Sequence, residues 1–216
     1  MITRLKKSII KEVIKYLLKL DNFIYQKISK YSVILSDGVH PKHRLTKYHK
    51  FFTDNLKPTD IVLDVGCGNG YNSYQIAKKV KKVVGVDINS EYISLAKKKY
   101  NKENIEFLNQ DILNFDKNMV FDVIVLSNVL EHIKDRIDFL EKISKKGKKV
   151  LIRVPMIDRN WLVLYKREMG IEYRSDTTHY IEYTYVSFVK ELNMAGLKII
   201  DFSIKFGEIW AVAGVC

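Results

Sequence analysis

A glycine-rich turn carries the clearest chemical signal in the sequence. Residues 64–70 read DVGCGNG and directly follow the apolar run at 61–63. Glycines let the backbone turn sharply and come close to a ligand, because no Cβ stands in the way. A nicotinamide dinucleotide site requires G-x-G-x-x-G, but Tyr71 or Ser73 holds the place of the last glycine, depending on which glycine is counted first. The dinucleotide pattern therefore fails in both registers.

Three acidic side chains accompany this turn. Asp64 stands directly before the glycines, and Asp87 and Asp111 follow the next two apolar runs. A carboxylate is a poor neighbour for a phosphate and a good one for a cationic amino group. Asp87 is placed to accept both hydroxyls of a ribose, and Asp111 with Ile112 to meet the amine and ring of an adenine. The predicted ligand is a phosphate-free nucleoside with an ammonium group, which describes S-adenosylmethionine.

Two histidines are candidate catalytic groups. Glu131-His132 follows the apolar run at 120–126, on the side where a transferable group would lie, so His132 is a candidate general base. The alternative is a histidine that packs or hydrogen-bonds at a helix start. His179 belongs to a polar, aromatic segment at 176–183, which predicts either an acceptor pocket or a well-hydrogen-bonded surface loop.

A metal site is not expected from the spacing of the histidines. They do not follow the pattern of a recognised ligand helix, and no cysteine stands near them; they are His40, His43, His49, His132 and His179. The segment at 40–49 is predicted instead to close over cofactor or substrate. Arg44 and Tyr48 are its candidates to contact the carboxylate end of the cofactor.

Composition bounds the class of protein. A chain of 216 residues with 47% hydrophobic residues can bury one substantial core. Cys67 and Cys216 are the cysteines, so a disulfide or thiolate metal site is not expected. No apolar run is long enough for a signal peptide or membrane span, which predicts a cytoplasmic location.

The positive charge is concentrated at the N-terminus. The net charge is +12, and residues 1–50 hold 12 Lys and Arg against 3 Asp and Glu. In the same region apolar residues recur every three or four positions, which predicts one long amphipathic helix: Ile2, Leu5, Ile9, Val13, Leu17, Leu20, Ile24, Ile28 and Tyr31. Its stripe would pack on the catalytic domain, on a second subunit as a homodimer, or on an anionic membrane surface.

Strand and helix patterns alternate through the middle of the chain, which predicts a parallel sheet with right-handed crossovers. The predicted strands are residues 61–65, 83–87, 105–108, 120–126 and 150–154, and the predicted helices between them are 71–79, 91–100 and 137–145. Two last strands at 197–204 and 209–215 are separated so briefly that they form an antiparallel hairpin. Residues 1–57 are predicted as an amphipathic helix and capping segment and 58–216 as the main domain, with an insertion at 157–183 as a substrate lid.

Four motifs in order resemble those of class I S-adenosylmethionine-dependent methyltransferases. They are LDVGCGNG at 63–70, VGVD at 84–87, NQDI at 109–112 and FDVIVLSNVLEHI at 121–133. The chain looks most similar to the type 11-like, small-molecule group that includes ubiquinone-type O-methyltransferases. The resemblance implies an α/β, Rossmann-like, seven-stranded and mostly parallel sheet, with order 3-2-1-4-5-7-6, an antiparallel last strand and an N-terminal helical extension.

The resemblance also implies which residues bind the cofactor. Together with the glycine turn it gives Asp64, Gly66, Gly68, Asn69, Gly70, Asp87, Ile88, Asp111, Ile112 and Ser127. Purely structural alternatives stay open: Gly68 and Gly70 could cap a helix, Asp111 could be a surface turn acid and Ser127 an N-cap.

The predicted function is methyl transfer from S-adenosylmethionine, with S-adenosylhomocysteine as product, to a small-molecule or saccharide-like acceptor, at oxygen rather than nitrogen or carbon. Residues 127–130 read SNVL, not the Asn-Pro-Pro-Tyr turn that similar enzymes use for planar amino nitrogens. Nucleic acid is not the expected partner. Two alternatives stay open: an RNA methyltransferase that uses the basic arm, and a catalytically silent cofactor-binding protein that regulates or scaffolds a partner.

Overall fold

The computed structural model describes residues 4–36, 39–115 and 119–215. Seven strands form one sheet in the order β3-β2-β1-β4-β5-β7-β6. Neighbours among the first five strands pair in parallel, and β7 pairs antiparallel with β5 and β6: β1 (Ile61–Val65), β2 (Lys82–Asp87), β3 (Ile105–Asn109), β4 (Phe121–Ser127), β5 (Gly147–Pro155), β6 (Leu197–Lys205) and β7 (Glu208–Val215). The predicted strand order and the antiparallel last strand are confirmed.

Eight α-helices precede, connect or flank the strands in the described residues. They are α1 (Arg4–Leu35), α2 (Lys42–Thr46), α3 (His49–Asp54), α4 (Tyr71–Ala77), α5 (Ser90–Lys99), α6 (Arg136–Ser144), α7 (Trp161–Glu168) and α8 (Tyr185–Met194). Short 3-10 turns occupy Ile112–Asn114 and Leu130–His132.

Two helical features differ from the sequence expectation. After the polar turn that begins at residue 36, the sequence pattern predicts one short helix that reaches Leu56. Lys47, whose φ of 49° is left-handed, interrupts that helix, so α2 and α3 are separate. The insertion at 157–183 contains α7, which was not predicted. Its first turn is capped by Asn160, whose side-chain oxygen accepts a hydrogen bond from the Val163 amide, a capping interaction that sequence periodicity does not reveal.

The central strands are buried on both faces, as expected for a parallel sheet covered by helices. Leu63, Ile124 and Ile152 belong to the hydrophobic cluster on one face. Val62 and Leu151 belong to the cluster on the other. Each fully buried aliphatic side chain contributes about 1.5–3 kcal/mol relative to an exposed one. This packing holds the strands in register, so that their carboxyl ends keep fixed positions relative to one another.

The carboxyl ends of the parallel strands share one edge of the sheet. Asp87 on β2 pairs with Asn109 on β3, and Ser127 on β4 pairs with Arg153 on β5. The segments that follow β1 to β5 therefore emerge together, which is where open α/β sheets bind ligands.

Helix α1 does not place its apolar stripe on its own domain. The stripe residues from Leu5 to Tyr31 are between 38% and 74% exposed, and only Leu18 of α1 is buried. The helix is held from its other side, where Lys166 Nζ on α7 lies 2.6 Å from Asp21 Oδ2 and Asn22 Nδ2 donates to Glu172 O at 2.7 Å. Among the described residues, no helix combines the length and apolar character needed to cross a membrane.

Candidate active site

The turn between β1 and α4 contains three glycines that have different structural roles. Gly66, Gly68 and Gly70 have positive φ angles of 63°, 53° and 79°. A Cβ on Gly68 would meet nothing within 4 Å, whereas a Cβ on Gly70 would lie 2.7 Å from Phe107 Cζ. Gly68 therefore borders open space, and Gly70 lets α4 pack closely on the sheet. The missing Cβ of Gly70 thus serves packing, and its contact with the cofactor stays a prediction.

A cavity of about 420 Å³ opens beside this turn. Six residues predicted to bind the cofactor line it: Tyr48, Asp64, Gly66, Gly68, Asn69 and Ser127. The other predicted residues are not among its lining residues: Arg44, Gly70, Asp87, Ile88, Asp111 and Ile112. Several lining residues were not predicted: Lys42, His43, Cys67, Tyr71, Asn72, Tyr92, Asn128 and Arg153.

Asp87 is fixed at the edge of the cavity. Its Oδ2 accepts a hydrogen bond from the Gly68 amide at 2.8 Å, and its Oδ1 accepts one from the Asn89 amide at 2.8 Å. A carboxylate has about four acceptor positions, so both oxygens can still accept from a ligand hydroxyl. Ile88, next in the chain, is 78% exposed, and its contact with the cofactor stays a prediction.

Asp111 and Ile112 have structural roles in this fold. Asp111 Oδ1 accepts a hydrogen bond from the Leu113 amide at 2.9 Å and caps the 3-10 turn. Ile112 is buried in the main hydrophobic cluster. Their predicted contacts with an adenine stay predictions, although the turn follows β3 at the same edge of the sheet.

Asp64 supplies a buried carboxyl group to the cavity. It is 1% exposed, and Ser73 Oγ donates a hydrogen bond to its Oδ2 at 2.5 Å. Burial raises the pKa of Asp64 to about 7, although the Ser73 hydrogen bond opposes the shift. A cationic group bound beside it would favour the ionised form. This arrangement fits the ammonium group of the predicted ligand.

The capping segment reaches the cavity through a different cation from the one predicted. Arg44 is exposed on α2 and does not line the cavity, whereas Lys42 does. Tyr48 lines it as predicted, with its hydroxyl 2.6 Å from His43 Nδ1. Burial, together with the nearby positive charges of Lys42 and Arg153, lowers the pKa of His43 to about 4. His43 is therefore neutral at pH 7, and its Nδ1 can accept the proton of Tyr48.

Arg153 is a buried cation that lines the cavity and that the sequence analysis did not predict. It is buried on β5, and its Nε and Nη2 form a two-pronged ion pair with Glu208 at 2.6 and 2.7 Å. Its guanidinium lies 3.9 Å from the centre of the Tyr48 ring, and its Nη1 is 3.3 Å from Ser127 Oγ. The signal was a lone charge within the buried strand VLIRV, since charged residues are seldom fully buried unless they are paired.

Three further residues form a group that we call the histidine cluster: Glu131, His132 and His179. One oxygen of Glu131 and one ring nitrogen of each histidine all lie within 4.8 Å of one another. Burial raises the pKa of Glu131 to about 7, against the effect of a hydrogen bond from Asn128. Asn128 also lines the cavity. Both predicted catalytic histidines therefore lie together, and Asn128 connects their cluster to the cavity.

The cavity fits S-adenosylmethionine in its chemistry. It offers a buried carboxyl for an ammonium group at Asp64, cations for a carboxylate at Lys42 and Arg153, and a glycine edge at Gly68 where a Cβ would enter the ligand space. Asp87, which accepts a hydrogen bond from the Gly68 amide, can still accept hydrogen bonds from the hydroxyls of a ribose.

Comparisons with known proteins agree with this chemistry. A family model described as a methyltransferase domain matches residues 56–162. The ubiquinone biosynthesis O-methyltransferase of Coxiella burnetii (strain RSA 331 / Henzerling II) is 26% identical over 202 residues, which cover 84% of this chain and 86% of that protein.

Two solved structures share the fold at low sequence identity. Magnesium protoporphyrin IX methyltransferase from Synechocystis PCC 6803, with bound S-adenosylhomocysteine, has a TM-score of 0.63 and 18% identity, and the match covers 81% of this chain and 83% of that one. An N-methyltransferase from Bradyrhizobium japonicum WM9 with the same bound product has a TM-score of 0.59 and 16% identity, over 81% and 86% of the two chains.

Proposed function

The chain belongs to the class I S-adenosylmethionine-dependent methyltransferases, and we propose that it methylates a hydroxyl oxygen of a small molecule. The observation that carries the proposal is the position of the histidine cluster, joined through Asn128 to the cavity that fits the cofactor. The similarity to an O-methyltransferase over most of both chains supports oxygen as the acceptor atom.

The transfer requires little covalent help from the protein. When bound, S-adenosylmethionine supplies a sulfonium methyl group: the S–C bond breaks with its electron pair on sulfur, a C–O bond forms, and the hydroxyl proton leaves to a base. The chain's own task is to align the acceptor, exclude water and assist removal of that proton. Ser127 and Asn128, at the end of β4, border the space where donor and acceptor would meet.

Among the chain's own side chains, His132 is the candidate base. Thr178 Oγ1 donates its proton to Asp176 Oδ1 at 2.7 Å, so it can only accept from His132 Nδ1, which lies 2.9 Å away. That places the ring proton on Nδ1 and leaves the lone pair on Nε2. Burial and the neighbouring His179 lower the pKa of His132, which keeps its ring neutral at pH 7.

A two-stage experiment tests the proposed function. Calorimetric titration with S-adenosylhomocysteine first establishes cofactor binding. Purified protein with S-adenosylmethionine is then offered phenols, catechols, saccharides, amines and transfer RNA, and product formation is followed by mass spectrometry. We expect a methylated hydroxyl compound, and about a 100-fold slower reaction for His132→Ala, since a positioned base contributes about 10²–10⁴-fold.

Other outcomes would reject the proposal in a defined way. Methylation of amines or of RNA alone would contradict oxygen transfer to a small molecule. Cofactor binding without turnover on any acceptor would favour a silent binding protein. The control variant is Val186→Glu. It alters an exposed residue of α8 that does not line the cavity.

We propose further that α1 lies on an anionic membrane surface. Ile9, Leu20 and Tyr31 lie about half a turn around the helix from buried Leu18, so the exposed apolar face points away from the domain. The helix carries eight Lys and Arg against Glu12 and Asp21. An apolar face with Lys and Arg on the opposite, polar face is typical of interfacial helices, and each basic residue near an anionic surface contributes about 1 kcal/mol.

Sedimentation with lipid vesicles tests the position of α1. We expect binding to phosphatidylglycerol vesicles that falls with salt, little binding to phosphatidylcholine, and loss of binding in the double variant Leu20→Glu/Ile24→Glu but not in Val186→Glu. Equal binding by the double variant would contradict the proposal. A dimer by light scattering that the double variant dissociates would assign the face to a second copy of the chain.

A further inference from the structure

We propose that the histidine cluster of Glu131, His132 and His179 binds a divalent first-row transition metal ion, such as zinc or manganese, beside the cofactor cavity. Spacing along the chain predicted no metal, because His179 follows His132 by 47 residues in the sequence. The fold removes that separation: the two imidazole rings have centroids 4.7 Å apart and cross at 79°.

Glu131 provides the first reason. Its side chain is fully buried, and its Oε1 accepts a hydrogen bond from Asn128 Nδ2 at 2.6 Å. Its Oε2 is buried and has no hydrogen-bond partner in the described part of the chain. A buried polar atom without a partner costs free energy. A cation bound to Oε2 would remove that cost.

The hydrogen bonds of the two histidines provide the second reason. His132 Nδ1 is engaged by Thr178 Oγ1, which is bonded in turn to Asp176. His179 Nδ1 lies 3.2 Å from Glu182 Oε1, a carboxylate that can only accept. Both rings therefore carry their proton on Nδ1 and leave Nε2 free. Metal-binding histidines usually donate their second N–H to such partners, which orient the ring and raise its basicity.

The partner of His179 is itself fixed. Glu182 is buried, forms an ion pair with Arg159, and accepts hydrogen bonds from the amide and hydroxyl of Ser175 at 2.5 and 2.8 Å. A carboxylate held from several sides cannot move away from the imidazole. The ring of His179 is thus held in one orientation toward Glu131 and His132.

The ligand set selects the class of ion. Two imidazole nitrogens and one carboxylate oxygen suit zinc, manganese or iron, whereas magnesium prefers oxygen ligands alone. Bonds of about 2.1 Å in a tetrahedral zinc site place ligand atoms about 3.4 Å apart. Because the cluster atoms already lie within 4.8 Å, a modest inward movement completes the site. Three protein ligands leave a position open, as in catalytic zinc sites.

The open position gives the ion a role in catalysis, and this part of the inference rests on the proposed function. An acceptor hydroxyl bound to a divalent cation has a lower pKa and loses its proton to solvent near neutral pH. With the ion bound, His132 and His179 act as ligands, and proton loss from the metal-bound hydroxyl replaces the base role that the proposed function gives to His132 in the metal-free protein. An acceptor with two adjacent oxygens, such as a catechol, would bind such an ion well.

Metal binding is tested directly, without reference to activity. Tag-free full-length protein is stripped with a chelator and titrated with Zn²⁺ by calorimetry and with Co²⁺ by visible absorption. We expect one bound equivalent, with affinity reduced about tenfold or more in Glu131→Gln, His132→Ala and His179→Ala. Thr178→Val, which removes only a residue that orients His132, should weaken binding less than the loss of any of the three ligands.

A matched control separates the cluster from histidines elsewhere. His40→Ala removes a histidine that contacts Ser29 and the Lys42 amide and should bind metal like the wild type. Titration with S-adenosylhomocysteine and thermal unfolding of every variant show whether it is folded. No binding of either ion by the wild type, or equal binding by the three cluster variants, would overturn the metal site.

The metal site and the proposed function fail separately. Metal bound at the cluster with no oxygen acceptor methylated would leave the site standing and reject the function. If oxygen methylation continues unchanged after the chelator has removed all metal, the proposed function stands and the metal site is rejected.

Discussion

Asn128 donates a hydrogen bond from Nδ2 to Glu131 Oε1 at 2.6 Å, and the same residue lines the cofactor cavity. Its backbone is left-handed, with φ of 57°, a conformation that asparagine tolerates better than most residues. The turn after β4 thereby connects the space for the donor with the buried carboxyl of the histidine cluster.

Replacing Asn128 tests this connection. Asn128→Gly keeps access to the left-handed backbone and removes the amide, whereas Asn128→Ala also introduces backbone strain of about 1–2 kcal/mol. We expect both variants to lose metal affinity and methyl transfer, and only Asn128→Ala to lose substantial thermal stability. If Asn128→Gly behaves like the wild type in metal titration and turnover, the hydrogen bond to Glu131 has no functional part.

Asp87 should dominate cofactor affinity. We expect Asp87→Ala to weaken S-adenosylhomocysteine binding about 10- to 100-fold, because hydrogen bonds to a charged group contribute about 1.5–3 kcal/mol. Asp87→Asn, which keeps an acceptor for the Gly68 amide, should weaken binding less. Asp111→Ala is the comparison, with a smaller loss, since Asp111 accepts from the Leu113 amide of its own 3-10 turn, whereas Asp87 accepts from the amide of cavity-lining Gly68. Undiminished binding by folded Asp87→Ala would place the cofactor elsewhere.

Cofactor affinity should rise with pH around neutrality. Asp64 has a pKa of about 7 in the free protein, and a bound ammonium group favours its carboxylate form. Binding therefore releases a proton below pH 7 and strengthens as pH rises through 7, with a plateau above. Calorimetry in buffers of different ionisation enthalpy measures the released proton. Asp64→Asn should show weak binding without this dependence; a flat profile in the wild type would contradict the assignment.

The same pKa has an opposite effect on stability. A carboxyl whose pKa is raised by folding binds its proton more tightly in the folded state, so the free energy of unfolding falls as pH rises from about 4 to about 7. Asp64→Asn should reduce that slope, measured by urea unfolding, and the part that remains is expected from Glu131, whose pKa is also raised by burial to about 7. Persistence of the full slope in this variant would assign it to other groups.

Gly68 and Gly170 form a matched pair. Both have left-handed φ angles, 53° and 69°, and a Cβ on either meets nothing within 4 Å. Alanine at each position should therefore cost a similar stability, about 1–2 kcal/mol. Only Gly68→Ala should weaken S-adenosylhomocysteine binding, because its Cβ enters the cavity. Equal affinities for the two variants would show that the ligand does not approach Gly68.

The glycine turn and the strand order followed from local pattern. Short apolar runs ending at Asp64 and Asp87, separated by helical periodicity, leave few alternatives to a parallel sheet. The residues that follow those runs then meet at one edge, whatever the details of packing. Six residues predicted for the cofactor accordingly line the cavity.

Other features depend on contacts that spacing cannot show. Arg44 and Lys42 are two positions apart on one short helix, and only the docking of α2 determines that Lys42 faces the cavity. Glu131 and His179 meet because the insertion folds back over β4, where the Tyr180 amide donates to Glu131 O at 2.7 Å. The direction of the α1 stripe was likewise undetermined, since periodicity defines a face but not what it touches.

The place of β7 has a consequence for how the protein is made. This strand follows all the others in the chain but lies between β5 and β6, and it carries Glu208 to Arg153. While the ribosome is still translating the earlier strands, β5 has no neighbour on that side and the Arg153 guanidinium lacks its ion pair with Glu208. A nascent chain of this protein therefore cannot complete its sheet before β7 leaves the exit tunnel, so the last folding step waits for translation of that strand.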